Sequence, residues 1–146
     1  MIAIEISDSD PNGFVAVDLQ DLLMVLPGEA KHLWWSILEF EATGDLGPSK
    51  NMLDFENQIK ASPLGLQMQW DQLIGLANSI FQVINATIVG ITAGNQFPGF
   101  VHSEITALSE IVIQMIDSSV WIVAAQDENV IRTIEKRFLE TSVRTY

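Results

Sequence analysis

The sequence predicts an α+β fold: a single layer of mixed, largely antiparallel sheet with about four helices packed on it. The 146 residues match the common size of one domain, and 48% are hydrophobic against 18% charged, which allows one sizeable core. Segments with alternating or β-branched apolar residues indicate strands, and they are interleaved with segments whose apolar residues recur at helical spacing. We therefore expect one domain over residues 1–140 and a loose C-terminal tail at 141–146.

The first thirty residues predict two strands and a helix. The isoleucines of "MIAIEIS" alternate with less apolar residues, which is typical of a half-buried strand. "DSDPNG" has the Pro and Asn-Gly chemistry of a turn, and we expect "FVAV" to pair back as a short second strand. Asp18 is expected to cap a short helix, which ends at Pro27 and Gly28.

Residues 33–41 predict the third strand. If its side chains alternate strictly, one face carries Trp34, Ser36, Leu38 and Phe40. The other face then carries Trp35, Ile37, Glu39 and Glu41. The second of these faces is therefore expected to be apolar at its start and acidic at its end.

The middle of the chain predicts two further helices with a short strand between them. The first helix begins at Ser49 or Asn51, and "LGLQMQW" after it indicates the strand. Asp71 is expected to cap the second helix, in which apolar residues recur at helical spacing as far as Ile84.

The last part of the chain predicts three strands and a closing helix. "NATIVGITA" is rich in β-branched residues and indicates a buried strand, and "GNQFPGF" after it is rich in turn residues. Residues 103–117 fit both a helix and a strand, and a strand is favoured from about residue 110. "VWIVAAQ" indicates another strand, and Asp127 is expected to cap a last amphipathic helix.

Charge is the strongest compositional signal. Nineteen acids against seven bases give a net charge of −12, and residues 1–131 hold only three of the bases. A field of this sign repels phosphate backbones and anionic membranes and speeds the encounter with basic partners. We therefore expect a protein partner, with no nucleic acid and no membrane. Solubility alone is the other explanation of an acidic surface.

Cysteine usage and apolar runs exclude other classes of protein. With no cysteine, the chain has no disulfide framework, no thiolate zinc site and no thiol nucleophile. The start, "MIAIEISDSD", lacks the basic region and continuous apolar stretch of a secretory signal. The longest apolar run, "VINATIVGITAG", is about half a bilayer span. The sequence therefore predicts a cytoplasmic protein.

No reaction motif is present. The chain has no G-x-x-x-x-G-K-[ST], no G-x-G-x-x-G and no G-x-S-x-G, and its two histidines are His32 and His102. "HSE" at 102–104 resembles half of the zinc deaminase signature, but the other half requires cysteines. We expect no metal, no cofactor and no catalysis.

The candidate functional residues are carboxylates and aromatic side chains. Glu39 and Glu41 are two apart on a strand, which places them on one face with side chains roughly 7 Å apart. This arrangement suits a solvated edge, contact with a partner, or acid–base chemistry in an apolar pocket, and the residues alone leave all three open. Either Trp34 or Trp35 is a candidate for an exposed face, while Phe97 folds back onto the core or marks a recognition loop.

Two segments carry a resemblance in build and composition. A Trp-bearing strand such as "WWSILEFEATGDLG" and a late strand such as "MIDSSVWIVAAQDE" before a closing helix are similar to those of small, acidic bacterial immunity-type proteins encoded beside secreted polymorphic toxins, and to those of uncharacterised bacterial domains of the same build. The resemblance implies inhibition of a basic toxin without catalysis, by an acidic, aromatic-bearing surface. On this hypothesis the partner-binding residues are Glu39, Glu41, Asp45, Trp35 and Phe97.

Two other functions remain open at this point. One is a small enzyme or ligand-binding domain with a pocket near Glu39, Glu41 and His102, which would need an apolar cavity and a perturbed carboxylate. The other is a subunit of a homo-oligomer, which would need a contiguous exposed apolar patch.

Overall fold

Seven strands and five α-helices make up the fold, and the computed structural model describes all 146 residues. The strands are β1 (Ile2–Ile6), β2 (Trp34–Gly44), β3 (Leu66–Met68), β4 (Ile80–Ile91), β5 (Ile111–Ile116), β6 (Val120–Ala125) and β7 (Thr141–Thr145). The helices are α1 (Leu19–Val25), α2 (Met52–Lys60), α3 (Trp70–Asn78), α4 (His102–Leu108) and α5 (Glu128–Glu135), with a 3₁₀ helix at Gly28–His32. The predicted α+β class is confirmed, with one helix more than expected.

The strands form one sheet in the spatial order β3-β2-β4-β5-β6-β1-β7. Every neighbouring pair is antiparallel, so the predicted antiparallel character is confirmed, but the sheet is not mixed as expected. β1 lies between β6 and β7, so the two ends of the chain meet at one side of the sheet. No helix has the length and apolar character needed to cross a membrane.

The two faces of the sheet are covered unequally. The main core contains 28 buried residues and lies on the face where α1, α2, α3, α5 and the 3₁₀ helix pack. On the other face only seven buried residues form a cluster, around Ile105 of α4: Ala3, Leu38, Val89, Ile105, Val112, Ile122 and Ala124. An antiparallel sheet can leave one face to water, and part of this second face is left uncovered.

A β-bulge interrupts β2 at Leu38. Ile37 is paired with Ile88 of β4, and the next paired residue, Glu39, is opposite the adjacent Thr87. Leu38 is therefore an extra residue between two successive pairs, and it packs into the smaller cluster on the second face. One inserted residue reverses the alternation of side chains along the strand.

The reversal separates the apolar residues of β2 from its acids. Trp35, Ile37 and Phe40 are buried in the main core, on the helix-covered face. Glu39 and Glu41 are exposed on the opposite face. The predicted grouping of Trp35 and Ile37 with the two glutamates is wrong, because strict alternation does not hold through a bulge.

Trp35 is an interior residue and not a surface anchor. Its side chain is 0% exposed, and its indole N–H donates to the carbonyl of Ala30 at 3.2 Å. The ring is tilted against Trp70 of α3 with centroids 5.9 Å apart, and Gly90 of β4 is directly opposite on the sheet. The prediction that Trp35 contacts a partner is therefore wrong, because the 3₁₀ helix and α3 enclose it.

"FVAV" at residues 14–17 forms no strand, contrary to the prediction. A single bridge joins Ser9 to Val15, and the N–H groups of Asn12 and Phe14 both donate to the side chain of Asp10. These local bonds fold the segment into a tight loop.

α3 is shorter than its apolar spacing predicts. The helix ends at Asn78, and Ile84 lies in β4, because the segment from Ile80 is rich in β-branched residues that suit a strand. Its N-cap is Gln69 and not Asp71, and the Gln69 N–H donates to the side chain of Gln72 at 2.9 Å.

Residues 103–117 contain both of the elements that their pattern allows. α4 occupies the first part of the segment, and β5 begins at Ile111, which confirms the strand favoured from about residue 110.

The C-terminal segment is an edge strand, so the prediction of a loose tail at 141–146 is wrong. β7 pairs with β1 over its whole length. The carboxylate of Asp8 accepts hydrogen bonds from the N–H groups of Leu139 at 3.0 Å and Glu140 at 2.6 Å, just before β7 begins. Strand β1 and Asp8 therefore hold a segment whose own sequence is polar and short.

Replacing Gly90 by alanine should destabilise the fold by about 1–3 kcal/mol, because the site is already filled. A Cβ at this position would lie 3.0 Å from two ring carbons of Trp35 and from Leu33 Cδ1. Urea unfolding measures the loss. Gly75→Ala is the control, since Gly75 lies in α3 with nothing within 4 Å, and there alanine should be neutral or stabilising. Equal stability of both variants would contradict this packing.

Replacing Asp8 by alanine should release β7 from the sheet and lower the free energy of unfolding by about 1–3 kcal/mol. Hydrogen exchange should speed up at Ser142 and Arg144, whose N–H groups point toward β1, while the amides of β5 and β6 stay protected. Asp8→Asn keeps one acceptor oxygen and should give an intermediate effect. Unchanged exchange in the alanine variant would show that Asp8 does not hold the strand.

Candidate functional site

The part of the second sheet face that α4 leaves uncovered is the candidate site, here called the open face. Its side chains come from five strands: Glu5, Glu39, Glu41, Asn85, Gln114, Ile116 and Val120. One row of directly paired residues, Glu39, Thr87, Gln114, Ile122 and Glu5, borders the covered part of this face, since Thr87 and Ile122 are buried. A surface built on paired strands is rigid, so these side chains have fixed relative positions.

The carboxylates of the open face are largely uncompensated. Glu5 is 3.2 Å from Arg144 of β7, whereas Glu39 and Glu41 have no ion pair. In the whole chain only three of the 19 acids are ion-paired, the other two being Glu128 and Glu135 with Arg132. Most of the negative charge of the chain is therefore not balanced by a neighbouring cation.

Glu41 also has a structural contact. Its carboxylate accepts from the side-chain amide of Asn85 at 2.9 Å, and the Asn85 carbonyl oxygen accepts from the N–H of Asp117 at 3.0 Å. Asp117 and Ser118 both have positive φ, 47° and 58°, in the tight turn that joins β5 to β6. Glu41 thus orients a side chain that supports this turn, while its second oxygen is available to a partner.

Asp45 lies beyond the open face, where β2 ends. Its carboxylate accepts from the N–H of Gly47 at 2.9 Å, and its own N–H donates to the carbonyl of Ser79 at 2.9 Å. At a strand rise of about 3.3 Å per residue it is roughly 13 Å from Glu41 along the chain. Its local role is to form the turn after β2.

Phe97 and Trp34 meet at the opposite end of β2. Phe97 is half-buried and Trp34 is 38% exposed, and both line a cleft of about 230 Å³ together with Ile91 and Asn95. The strand rise places Trp34 about 23 Å from Glu41. The structure therefore brings Glu39 and Glu41 together but leaves Phe97 and Asp45 apart from them.

Trp34 is the tryptophan that reaches the surface, and the sequence left open whether this would be Trp34 or Trp35. The 3₁₀ helix before β2 determines which tryptophan is buried, because its Ala30 carbonyl accepts a hydrogen bond from the indole N–H of Trp35. Adjacent strand residues point to opposite faces, so Trp34 is directed away from the main core.

The perturbed carboxylate of the chain is Asp18, away from the open face. It lines a cavity of about 270 Å³ with Phe14, Phe81 and Trp121. Burial raises the pKa of Asp18, the N–H of Asp21 opposes this by donating to it, and the negative charge of Asp21 raises the pKa further. The two aspartates form the capping box of α1, so a structural role accounts for this perturbation.

Neither histidine belongs to a metal-binding cluster. No three His, Asp or Glu side chains lie close enough together to hold a metal ion. His102 packs against the ring of Tyr146 with centroids 5.3 Å apart, and the Tyr146 hydroxyl donates to Gln114 at 3.0 Å. His102 thus helps to seat the C-terminal residue on the second face.

Comparison of the chain with protein-family models, curated proteins and solved structures found no match.

The raised pKa of Asp18 predicts how stability depends on pH. The folded state holds the Asp18 proton more tightly than the unfolded state, so its contribution is largest below about pH 3.9, the ordinary aspartate pKa. This contribution to stability is lost as the pH rises through the raised pKa that Asp18 has in the folded state. In urea unfolding, the stability of the wild type relative to Asp18→Asn should therefore fall over this window and then level off. Asn also caps helices, so the variant should fold.

A relative stability that rises with pH over the same window would contradict the raised pKa. Asp21→Asn is the companion variant, because it removes the neighbouring charge that contributes to the shift. Its pH-dependent loss should be smaller than that of the wild type.

Proposed function

We propose that this protein is a non-catalytic binding domain whose open face holds a basic protein partner. The observation that carries the proposal is the position of Glu39 and Glu41, which are exposed on a rigid sheet face without any cation of their own. Unpaired, exposed carboxylates at fixed spacing attract a cationic surface at little desolvation cost to either side.

The total charge supports fast association with such a partner. A net charge of −12 steers a basic protein toward the chain and raises the association rate, an effect that salt weakens. Because few acids are ion-paired within the chain, nearly all of them contribute to this field.

Apolar side chains on the same face support a lasting contact. Ile116 is 44% exposed and Val120 is half-buried, and the two are paired across β5 and β6. They lie beyond Asn85, on the side away from Glu41. A partner that covered them together with the glutamates would gain buried apolar area as well as charge contacts.

The specific form that we propose is a cytoplasmic immunity-type protein that neutralises a basic toxin. The resemblance in build to such proteins suggests this role. A toxin that acts on nucleic acids would present cationic side chains that bind phosphates, and Glu39 and Glu41 would bind these side chains in place of the phosphates. The positions of the two glutamates favour binding over catalysis, because both are exposed and lie outside the main cavities of the surface.

Reversing both charges should weaken partner binding. In the Glu39→Lys, Glu41→Lys variant, affinity should fall about tenfold or more at low salt, mainly through slower association. The proteins encoded beside the gene for this chain are the candidate partners, and their association and dissociation rates can be measured by biolayer interferometry at low and high salt. Co-expression with a toxic candidate adds growth rescue as a second readout.

The matched control is the double variant Glu29→Lys, Asp71→Lys, which changes the net charge equally. Both residues are exposed, in the 3₁₀ helix and in the first turn of α3. If this control loses as much affinity as the open-face variant, only total charge matters and the open face is not the binding surface. If no basic protein binds the chain, the proposal is wrong.

A further inference from the structure

The outer edge of β7 is unprotected, in contrast to the opposite edge of the sheet. There, β3 has only three residues, and next to it Glu56 of α2 accepts from the N–H of Ala42 in β2 at 3.0 Å. β7 has five residues and contains no proline, lysine or bulge. Its single charge, Arg144, is already paired with Glu5. Such an edge is a template for another strand.

The free backbone groups of β7 can be assigned from its pairing with β1. The carbonyl of Glu140 accepts from Ser7, and the N–H of Tyr146 donates to Met1, so even-numbered residues bond toward β1. In an antiparallel ladder alternate residues point to opposite sides. The N–H and C=O groups of Thr141, Val143 and Thr145 therefore point away from the sheet, where no further strand lies.

We propose that β7 pairs antiparallel with β7 of a second copy of this chain, about a two-fold axis at Val143. Val143 is the middle of the three outward-pointing residues, so in this register it faces its own copy and Thr141 faces Thr145. All three outward residues of each strand then find partners. A two-fold axis closes the assembly at two chains.

The side chains are compatible with this register. Val–Val and Thr–Thr pairs are favourable across antiparallel strands. Arg144 is opposite Ser142 of the other copy, so no like charges face each other directly. Shifting the axis to Arg144 would place the two arginines opposite each other and leave Thr141 without its partner, which favours the axis at Val143.

The charge distribution also favours this edge over the rest of the surface for self-association. Two chains of net charge −12 repel each other, but residues 132–146 contain four bases and two acids. β7 lies in this segment, whose net charge of +2 is opposite in sign to that of the rest of the chain. Pairing should strengthen as salt screens the remaining repulsion, whereas binding of a basic partner weakens with salt.

Sedimentation of the wild type over a range of protein and salt concentrations tests the proposal. Dimers should form and should increase with salt. Val143→Pro should weaken dimerisation about tenfold to a hundredfold, because it removes the central N–H donors and blocks close pairing. The lost N–H points away from β1, so proline is compatible with this edge. Val143→Thr is the control and should dimerise like the wild type.

Hydrogen exchange of the wild type gives an independent readout if the proline variant does not fold. The amides of Thr141, Val143 and Thr145 should exchange fast in dilute protein and slowly at high concentration, while those of Ser142 and Arg144 stay protected throughout. A wild type that remains monomeric at all concentrations and salts overturns the proposal, as does a dimer that Val143→Pro leaves intact or one whose outward amides stay unprotected.

Discussion

The β-bulge at Leu38 is the constraint on which the arrangement of the molecule depends. With strict alternation after Trp35 and Ile37, Glu39 and Glu41 would point into the main core, where an unpaired carboxylate is very costly. Leu38 fills the small apolar cluster under α4 instead, and the residues after it exchange faces. Phe40 thereby enters the main core and the two glutamates reach the open face. A single extra residue keeps the core side of the strand fully apolar and places its two glutamates on the other side.

Local sequence signals predicted the features that depend on neighbouring residues. Asp18 and Asp127 cap their helices with their side chains as expected, and of the two predicted starts of α2, Ser49 and Asn51, it is Asn51 that caps the helix. These features follow from a few adjacent side chains and their own backbone, so the α+β class could be predicted without knowledge of the sheet order.

Features that depend on distant residues could not be predicted in this way. β7 is a strand because β1 and Asp8, at the other end of the chain, supply its partners. Trp35 is buried because the 3₁₀ helix turns a carbonyl toward its indole. Of the candidate site, the pair Glu39 and Glu41 could be predicted, since two residues along a strand share a face. The separation of Phe97 and Asp45 from this pair follows only from the length of β2.

The open face and the edge of β7 adjoin each other, with Glu5 on the face and Arg144 on the edge strand. A pair of chains joined at β7 would carry two open faces on the same side of one continuous sheet, which would raise the avidity for a partner with two basic patches. The central claim is that the open face is where a basic partner docks. Chemical labelling of carboxylates, with and without the partner, tests it most directly: Glu39 and Glu41 should be shielded in the complex while Glu29 and Asp71 remain reactive. Equal labelling of Glu39 and Glu41 in the free and bound protein would contradict the claim.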